Sequence, residues 1–348
     1  MASVHDIQNA RKPLDTRGRP LHDLRISVMD RCNFRCPYCM PKEHFHDNYR
    51  FLKSSERLSF EEITRLARLF AKLGVKKLRL TGGEPLLRAN LEDLVGDLST
   101  IPEIEDIALT TNGVLLSRHA IELAANGLSR VTVSLDTLDP DIFLKMNGGH
   151  GSVAQVLEGI DAAIAAGLGP VKVNAVVERG VNDHTVLDLI EHFRGKPVIV
   201  RFIEFMDVGN RNAWRPEMVV PSRELVERVR ARWPMQPLSQ NYPGEVAKRW
   251  RLEDGSAEIG FISSVSQPFC GACSRARLSS EGRYYTCLFA TVGLDLRAAL
   301  RAGADDADLL AMIRGNWTQR GDRYSEQREE LRRADGQQRK IEMYYIGG

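Results

Sequence analysis

Short apolar runs alternate with amphipathic stretches from about residue 22 to 235, a pattern that predicts repeated strand–helix units. The strands fall at 24–28, 77–81, 104–110, 130–135, 171–177 and 198–205, each a run of Leu, Ile, Val or Phe. Between them the spacing predicts helices at 59–73, 90–99, 117–125, 152–166 and 183–193. In the first of these, Ser59 and Glu62 form a capping-box pattern, and Ile63, Leu66, Ala67, Phe70 and Leu73 recur on one face before Gly74 ends the segment. Six alternations imply a parallel sheet with right-handed crossovers, either an incomplete barrel or a doubly wound sheet. Periodicity alone does not choose between the two.

Polar positions at the strand ends favour the barrel. Thr81-Gly-Gly-Glu-Pro85, Thr110-Thr-Asn-Gly113, Ser134-Leu-Asp136, Asn174 and Glu204-Phe-Met206 close successive strands. Any one of these is an ordinary turn sequence, but in a barrel the strand ends converge on a single mouth. Charges within the strands are a second signal. Arg25, Lys77, Arg79, Lys172 and Arg201 interrupt apolar segments, where an unpaired charge costs several kcal/mol. Glu204 is an internal partner candidate for Arg201. The others face outward or toward an anionic ligand, and several cations converging on one site would suit a triphosphate. No Walker sequence and no G-x-G-x-x-G opening a helix occurs, so a nucleotide here is held by side chains and strand-end loops. Gly148-Gly-His-Gly151 reads as a flexible loop, and the eight histidines show no paired spacing on a helix face.

The six cysteines fall into two trios. Cys32, Cys36 and Cys39 have the spacing Cys-x3-Cys-x2-Cys beside Pro37 and Pro41, and Cys270-Gly-Ala-Cys273 is followed by Cys287. Three thiolates hold three corners of a 4Fe-4S cluster and leave one iron open for chemistry. Zinc is the alternative, more so for the second trio than for the first, where no fourth ligand lies at a suitable spacing. A disulfide framework does not suit a chain of 348 residues whose N-terminus, Met1-Ala-Ser-Val-His-Asp6, lacks an apolar signal segment. The expected compartment is a reducing cytosol.

Composition removes further classes. Formal charge is +2, from 48 basic and 46 acidic residues, so no field for nucleic acid is evident. No apolar run reaches the roughly 18 residues a membrane span needs. The mixed charges of 320–340 are most simply a solvated helical face.

Taken together, Leu24-Arg-Ile-Ser-Val-Met-Asp-Arg-Cys-Asn-Phe-Arg-Cys-Pro-Tyr-Cys-Met-Pro41, Arg79-Leu-Thr-Gly-Gly-Glu-Pro85, Thr110-Thr-Asn-Gly113, Arg201-Phe-Ile-Glu-Phe-Met-Asp207, Phe269-Cys-Gly-Ala-Cys-Ser-Arg-Ala-Arg277 and Gly347-Gly348 carry a resemblance. The chain resembles the GTP 3′,8-cyclase family of molybdenum cofactor biosynthesis, within the radical S-adenosylmethionine superfamily. The first trio alone gives the superfamily. The second trio, Arg-Ala-Arg and the Gly-Gly end narrow it to the family, over residues 18–348.

That resemblance implies an incomplete (βα)6 TIM-type barrel at 18–235, after a variable leader at 1–17, and a C-terminal extension at 236–348 with a second iron-sulfur site and a Gly-Gly tail that enters the active site. It implies two 4Fe-4S clusters, one on Cys32, Cys36 and Cys39 and one on Cys270, Cys273 and Cys287. Tyr38, Gly83, Ser134 and Met206 match positions that contact S-adenosylmethionine. Arg25, Arg79, Thr110, Lys172, Arg275 and Arg277 match positions that bind GTP, with Lys77 a plausible addition and Arg277 counted with the catalytic set. The implied reaction begins with a 5′-deoxyadenosyl radical taking hydrogen from C3′ of GTP. Attack on C8 then leads to 3′,8-cyclo-7,8-dihydroguanosine triphosphate. A homodimer, an electron donor of reductase or ferredoxin type and coupling to cyclic pyranopterin monophosphate synthase are implied as well. Two other readings predict different sequences: a peptide-modifying radical enzyme would carry more C-terminal cysteines, and an iron-sulfur or zinc protein binding nucleic acid would carry a basic stripe with exposed aromatics.

Overall fold

The computed structural model describes residues 12–46, 48–334 and 340–347. The expected leader therefore lies largely outside the described residues, as do part of 320–340 and Gly348.

Six parallel strands follow one another in chain order: β1 (Asp23–Ser27), β2 (Lys77–Thr81), β3 (Asp106–Thr111), β4 (Arg130–Ser134), β5 (Val171–Val177) and β6 (Val198–Glu204). Neighbouring pairs hydrogen-bond without any reversal of order. A doubly wound sheet would reverse direction midway, so the sequential order settles the barrel-type alternative. The intervening helices are α1 (Phe60–Lys72), α2 (Leu91–Ser99), α3 (Leu116–Ala125), α4 (Pro140–Asn147), α5 (Val153–Ala165) and α6 (Val186–Phe193). The capping box at the start of α1 forms as its sequence predicts, with Ser59 accepting from the Glu62 N–H and Glu62 accepting from the Ser59 N–H. Helix α4 is absent from the sequence expectation. Its signal was legible in Asp139-Pro140, where Asp139 caps the N–H groups of Asp141 and Ile142 and Pro140 takes the first helical position.

The C-terminal third extends both edges of this sheet. Beyond α7 (Ser222–Arg232), β7 (Met235–Leu238), β8 (Lys248–Leu252) and β9 (Glu258–Ile262) add to β6, with β9 parallel to it. On the other edge β10 (Arg275–Leu278) pairs in parallel with β1, followed by antiparallel β11 (Arg283–Tyr285) and β12 (Leu294–Asp295). One continuous sheet thus carries both cysteine regions. Register locates them: Asp23 at the start of β1 faces Arg275, so Cys273 lies at the N-terminal end of the strands, whereas Cys32, Cys36 and Cys39 follow their C-terminal ends.

Helices α8 (Leu296–Arg301), α9 (Asp306–Thr318) and α10 (Tyr324–Ala334) complete the extension, and α11 (Met343–Ile346) returns to the barrel. Among the described residues of 320–340 the expected solvated face holds except at two positions. Arg320 and Arg328 are buried, because each satisfies a buried acid. Arg320 pairs with Asp15, which also holds Arg19, and Arg328 donates to Asp207 at 2.8 Å. Charge count in a sequence does not report which cations have a buried partner waiting.

Candidate functional site

Both cysteine trios open onto one cavity of about 350 Å³ inside the barrel. The first trio sits on a turn in which the Cys39 and Met40 N–H groups both donate to the Cys36 carbonyl, at 2.9 and 2.8 Å. Arg35 ties this turn down by donating to the carbonyls of Cys32, Phe34 and Phe45. Burial and the neighbouring Glu84 push the Cys32 thiol up to about 12, and burial together with repulsion from the sister sulfurs raises Cys36 and Cys39 as well. Such a buried trio becomes thiolate only when cations meet it.

At the opposite end, Arg19 donates to the Cys270 carbonyl and Arg320 to the Cys273 carbonyl, both at 2.7 Å. Burial raises the Cys273 thiol, but Arg275 and Arg320 outweigh it, and Arg275 Nη2 lies 3.1 Å from its sulfur; the result is a pKa of about 6. Cys287 is pushed up to about 11 by burial. All six cysteines are free thiols. Among the described residues no three His, Cys, Asp or Glu converge closely enough to bind a single metal ion. Each trio presents three thiols to the cavity, the donor type and number that hold a 4Fe-4S cluster with one iron left open.

Between the trios the cavity wall is cationic. Arg25 and Arg79, at the middle of β1 and β2, line it with Lys77, Arg130 and Arg201, and Arg275 and Arg277 enter from β10. Arg79 donates to Thr110 at 3.0 Å and to Thr132 at 3.1 Å. Arg201 donates to Asn174 at 2.9 Å. It does not pair with Glu204, as the sequence had suggested. Successive β6 residues alternate sides, but 201 and 204 are three apart and point to opposite faces. Glu204 instead accepts the N–H groups of Ser222, Val265 and Ser266. Among the described residues no carboxylate pairs with Arg25, Arg79, Lys172 or Arg201. Burial and mutual repulsion push Arg201 down to about 9 and Arg79 to about 10, and Arg25 falls well below its ordinary value. Arg130 has an acid beside it, Asp106.

Nearly every residue singled out in the sequence meets here. Cys32, Cys36, Cys39, Tyr38, Gly83, Ser134, Met206, Thr110, Cys270, Cys273, Cys287, Arg275 and Arg277 line the same cavity as Arg25, Lys77 and Arg79. Lys172 does not. It faces a neighbouring cavity at the N-terminal end of the strands, with Lys77, Arg130 and Arg201 shared between the two. Burial and the charges of Arg201, Arg130 and Arg79 push Lys172 down to about 7. Tyr38 donates to Asp136 at 2.8 Å, and Asp136 accepts the Val176 N–H at 2.8 Å. Gly83 is required by close approach: a Cβ there would stand 2.4 Å from the Arg31 carbonyl of the first cysteine loop.

Sequence reasoning missed Arg130, Tyr242 and the buttressing pair Arg19 and Arg320, and named Asp136 only as part of a polar strand end. Arg130 opens β4 and Asp136 lies just beyond it, within the reach of the strand that the sequence predicts. Nothing local marks Tyr242 or Arg320, which meet Lys77 and Asp15 from far along the chain, whereas Arg19 has Asp15 four residues before it.

Two family models match in tandem: the radical SAM superfamily over residues 26–193 and Molybdenum Cofactor Synthesis C over 198–326. The chain is 53% identical to a GTP 3′,8-cyclase of Xanthomonas axonopodis pv. citri over 96% of this chain and 98% of the relative. It is 51% identical to one from Acidothermus cellulolyticus and 49% to one from Staphylococcus epidermidis, with the same two shares. Its fold is similar to the crystal structure of Streptococcus suis SuiB bound to S-adenosylmethionine, at a TM-score of 0.60 and 16% identity, covering 85% of this chain and 68% of that one.

Proposed function

The chain belongs to the GTP 3′,8-cyclase family of radical S-adenosylmethionine enzymes, and on that premise we propose how its own residues divide the work of the cyclisation that opens molybdenum cofactor biosynthesis. Residues 18–235 provide the barrel with Cys32, Cys36 and Cys39, and residues 236–348 the extension with Cys270, Cys273 and Cys287. The observation that carries this division is the run of unpaired cations lying between two cysteine trios in one cavity. Bound S-adenosylmethionine and the first cluster supply the one-electron chemistry that starts hydrogen abstraction from the ribose.

The remaining work is positioning. Arg25, Arg79 and Thr110, assisted by Lys77, hold the triphosphate, and its negative charge offsets cations that otherwise repel one another. Arg275 and Arg277 orient the base end toward the second cluster, beside Cys273. Tyr38, Gly83, Ser134 and Met206 hold the cofactor nucleoside and methionine, with Asp136 fixing the Tyr38 hydroxyl. Arg277 Nε also donates to the Gly347 carbonyl at 3.4 Å, and Tyr344 packs on Phe45 and Tyr49, so the tail closes the cavity against water. The wider setting we propose is cytoplasmic, with a homodimeric enzyme, a ferredoxin- or reductase-type electron donor and cyclic pyranopterin monophosphate synthase as the consumer of the product. Among the described residues no helix is long and apolar enough to cross a membrane.

Anaerobic incubation of iron-reconstituted protein with S-adenosylmethionine, reductant and GTP tests the assignments by mass spectrometry. Formation of 5′-deoxyadenosine and the cyclised dihydro nucleotide, with the nucleotide product lost in Cys270→Ala, is expected. Retention of full product formation in that variant would overturn the role given to the second trio.

A further inference from the structure

The phosphate end of the cavity has a floor that belongs to neither cysteine region. The segment 239–247 between β7 and β8 passes beneath the barrel and places Tyr242 on the boundary between the main cavity and the neighbouring cavity that holds Lys172. Lys77 Nζ lies 3.3 Å from the centroid of the Tyr242 ring, a close cation–π contact. The segment is braced from both sides. Glu245 accepts from the Asn241 N–H at 2.7 Å, and Arg249, paired with Glu258, donates to Asn241 at 2.7 Å. Gly244 reaches the second cysteine turn, where a Cβ on it would stand 2.7 Å from the Ala272 carbonyl between Cys270 and Cys273. One short segment therefore touches both the phosphate floor and the loop of the second cluster.

We infer that Tyr242 is a specificity-determining residue: its ring holds the Lys77 ammonium at the cavity floor and forms the stop against which the terminal phosphate of a nucleoside triphosphate seats. The inference rests on the GTP reading of the cavity. Lys77 lies two strands across from Arg275 at the same end of the sheet, so with the base beside Cys273 a triphosphate that reaches across this floor gains the Lys77 charge, whereas a diphosphate falls one phosphate short of it. With the ring removed, Lys77 swings free and water enters among Arg130, Arg201 and Lys77, weakening the attraction for the phosphate nearest the floor.

The test is anaerobic equilibrium binding of GTP and GDP to the cluster-loaded enzyme without S-adenosylmethionine or reductant, so that no turnover occurs. Tyr242→Ala is expected to lower the ratio of Kd for GDP to Kd for GTP by about tenfold. Tyr242→Phe, which keeps the ring, should retain the wild-type ratio. Lys77→Met, which removes the other partner of the contact, should lower the ratio even if Tyr242→Ala does not fold. An unchanged ratio in Tyr242→Ala, or equal weakening of both nucleotides, overturns the inference and leaves the GTP site standing. Absence of GTP binding by the wild-type enzyme would overturn both.

Discussion

On the proposed GTP assignment, Lys172 should make substrate binding a proton-linked event. The side chain is partly buried, and burial together with Arg201, Arg130 and Arg79 pushes its pKa from 10.5 down to about 7. A drop of that size corresponds to something on the order of 5 kcal/mol of unfavourable environment, before the water that reaches the side chain is allowed for. The sign follows from linkage. The folded state binds fewer protons than the unfolded one between about pH 7 and 10.5, so this group adds stability as pH rises through that window. At pH 8 the free enzyme holds roughly 0.1 proton on Lys172. A triphosphate neutralising the three arginines beside it returns the pKa toward normal and draws in about 0.9 proton. GTP affinity should accordingly fall by up to about tenfold per pH unit above pH 7. Anaerobic titration calorimetry in buffers of different ionisation enthalpy measures the uptake directly. In Lys172→Met the uptake should vanish, while the ligand-free protein gains about 2 kcal/mol once solvent access has discounted the full penalty. Equal proton uptake in wild type and Lys172→Met, or affinity that is flat from pH 7 to 9, would refute the reasoning.

Three other perturbations have outcomes set by single contacts. Asp207→Ala strips the partner from buried Arg328 and releases Tyr324 and Lys340, and should cost about 3–5 kcal/mol in anaerobic urea unfolding; a loss under 1 kcal/mol would show the network to be decorative. In Gly83→Ala the new methyl collides with the Arg31 carbonyl and displaces the first cysteine loop, so iron content per chain should drop toward that of the second cluster alone, while normal iron loading would contradict the collision. Glu84, buried and accepting from Leu86, Thr111 and Asn112, has its carboxyl pushed up to about 7 by burial. Its contribution is present below pH 4.5 and lost as pH rises through 7, on the order of 3 kcal/mol, so Glu84→Gln should flatten the stability–pH profile across that range, and an unaltered slope would assign it to other groups.

The legible part of this protein was whatever repeats locally. The capping box at Ser59, the stripe of α1 and the strands around Leu24 and Val171 depend on neighbours a few residues apart, and their positions held to within two residues. The cysteine trios were legible because spacing within a loop constrains which sulfurs can share a cluster. Arg201 and Arg328 show where that reading stops. Each is a cation in a sequence with an acid nearby, yet Arg201 turns away from Glu204 to Asn174, and Arg328 finds Asp207, 121 residues away.

By itself the sequence determined the strand–helix alternation, the two trios and the excess of cations within strands, since each follows from side-chain chemistry at short range. Only the tertiary structure decided that the sheet runs in sequential order, that β10 joins β1 and so brings the second trio to the opposite end of the same cavity, and that Lys172 faces a neighbouring cavity with Tyr242 on the boundary. The physical reason is that burial and charge compensation depend on which elements pack together. A buried arginine is stabilised or strained by groups that the chain brings beside it from far along its length.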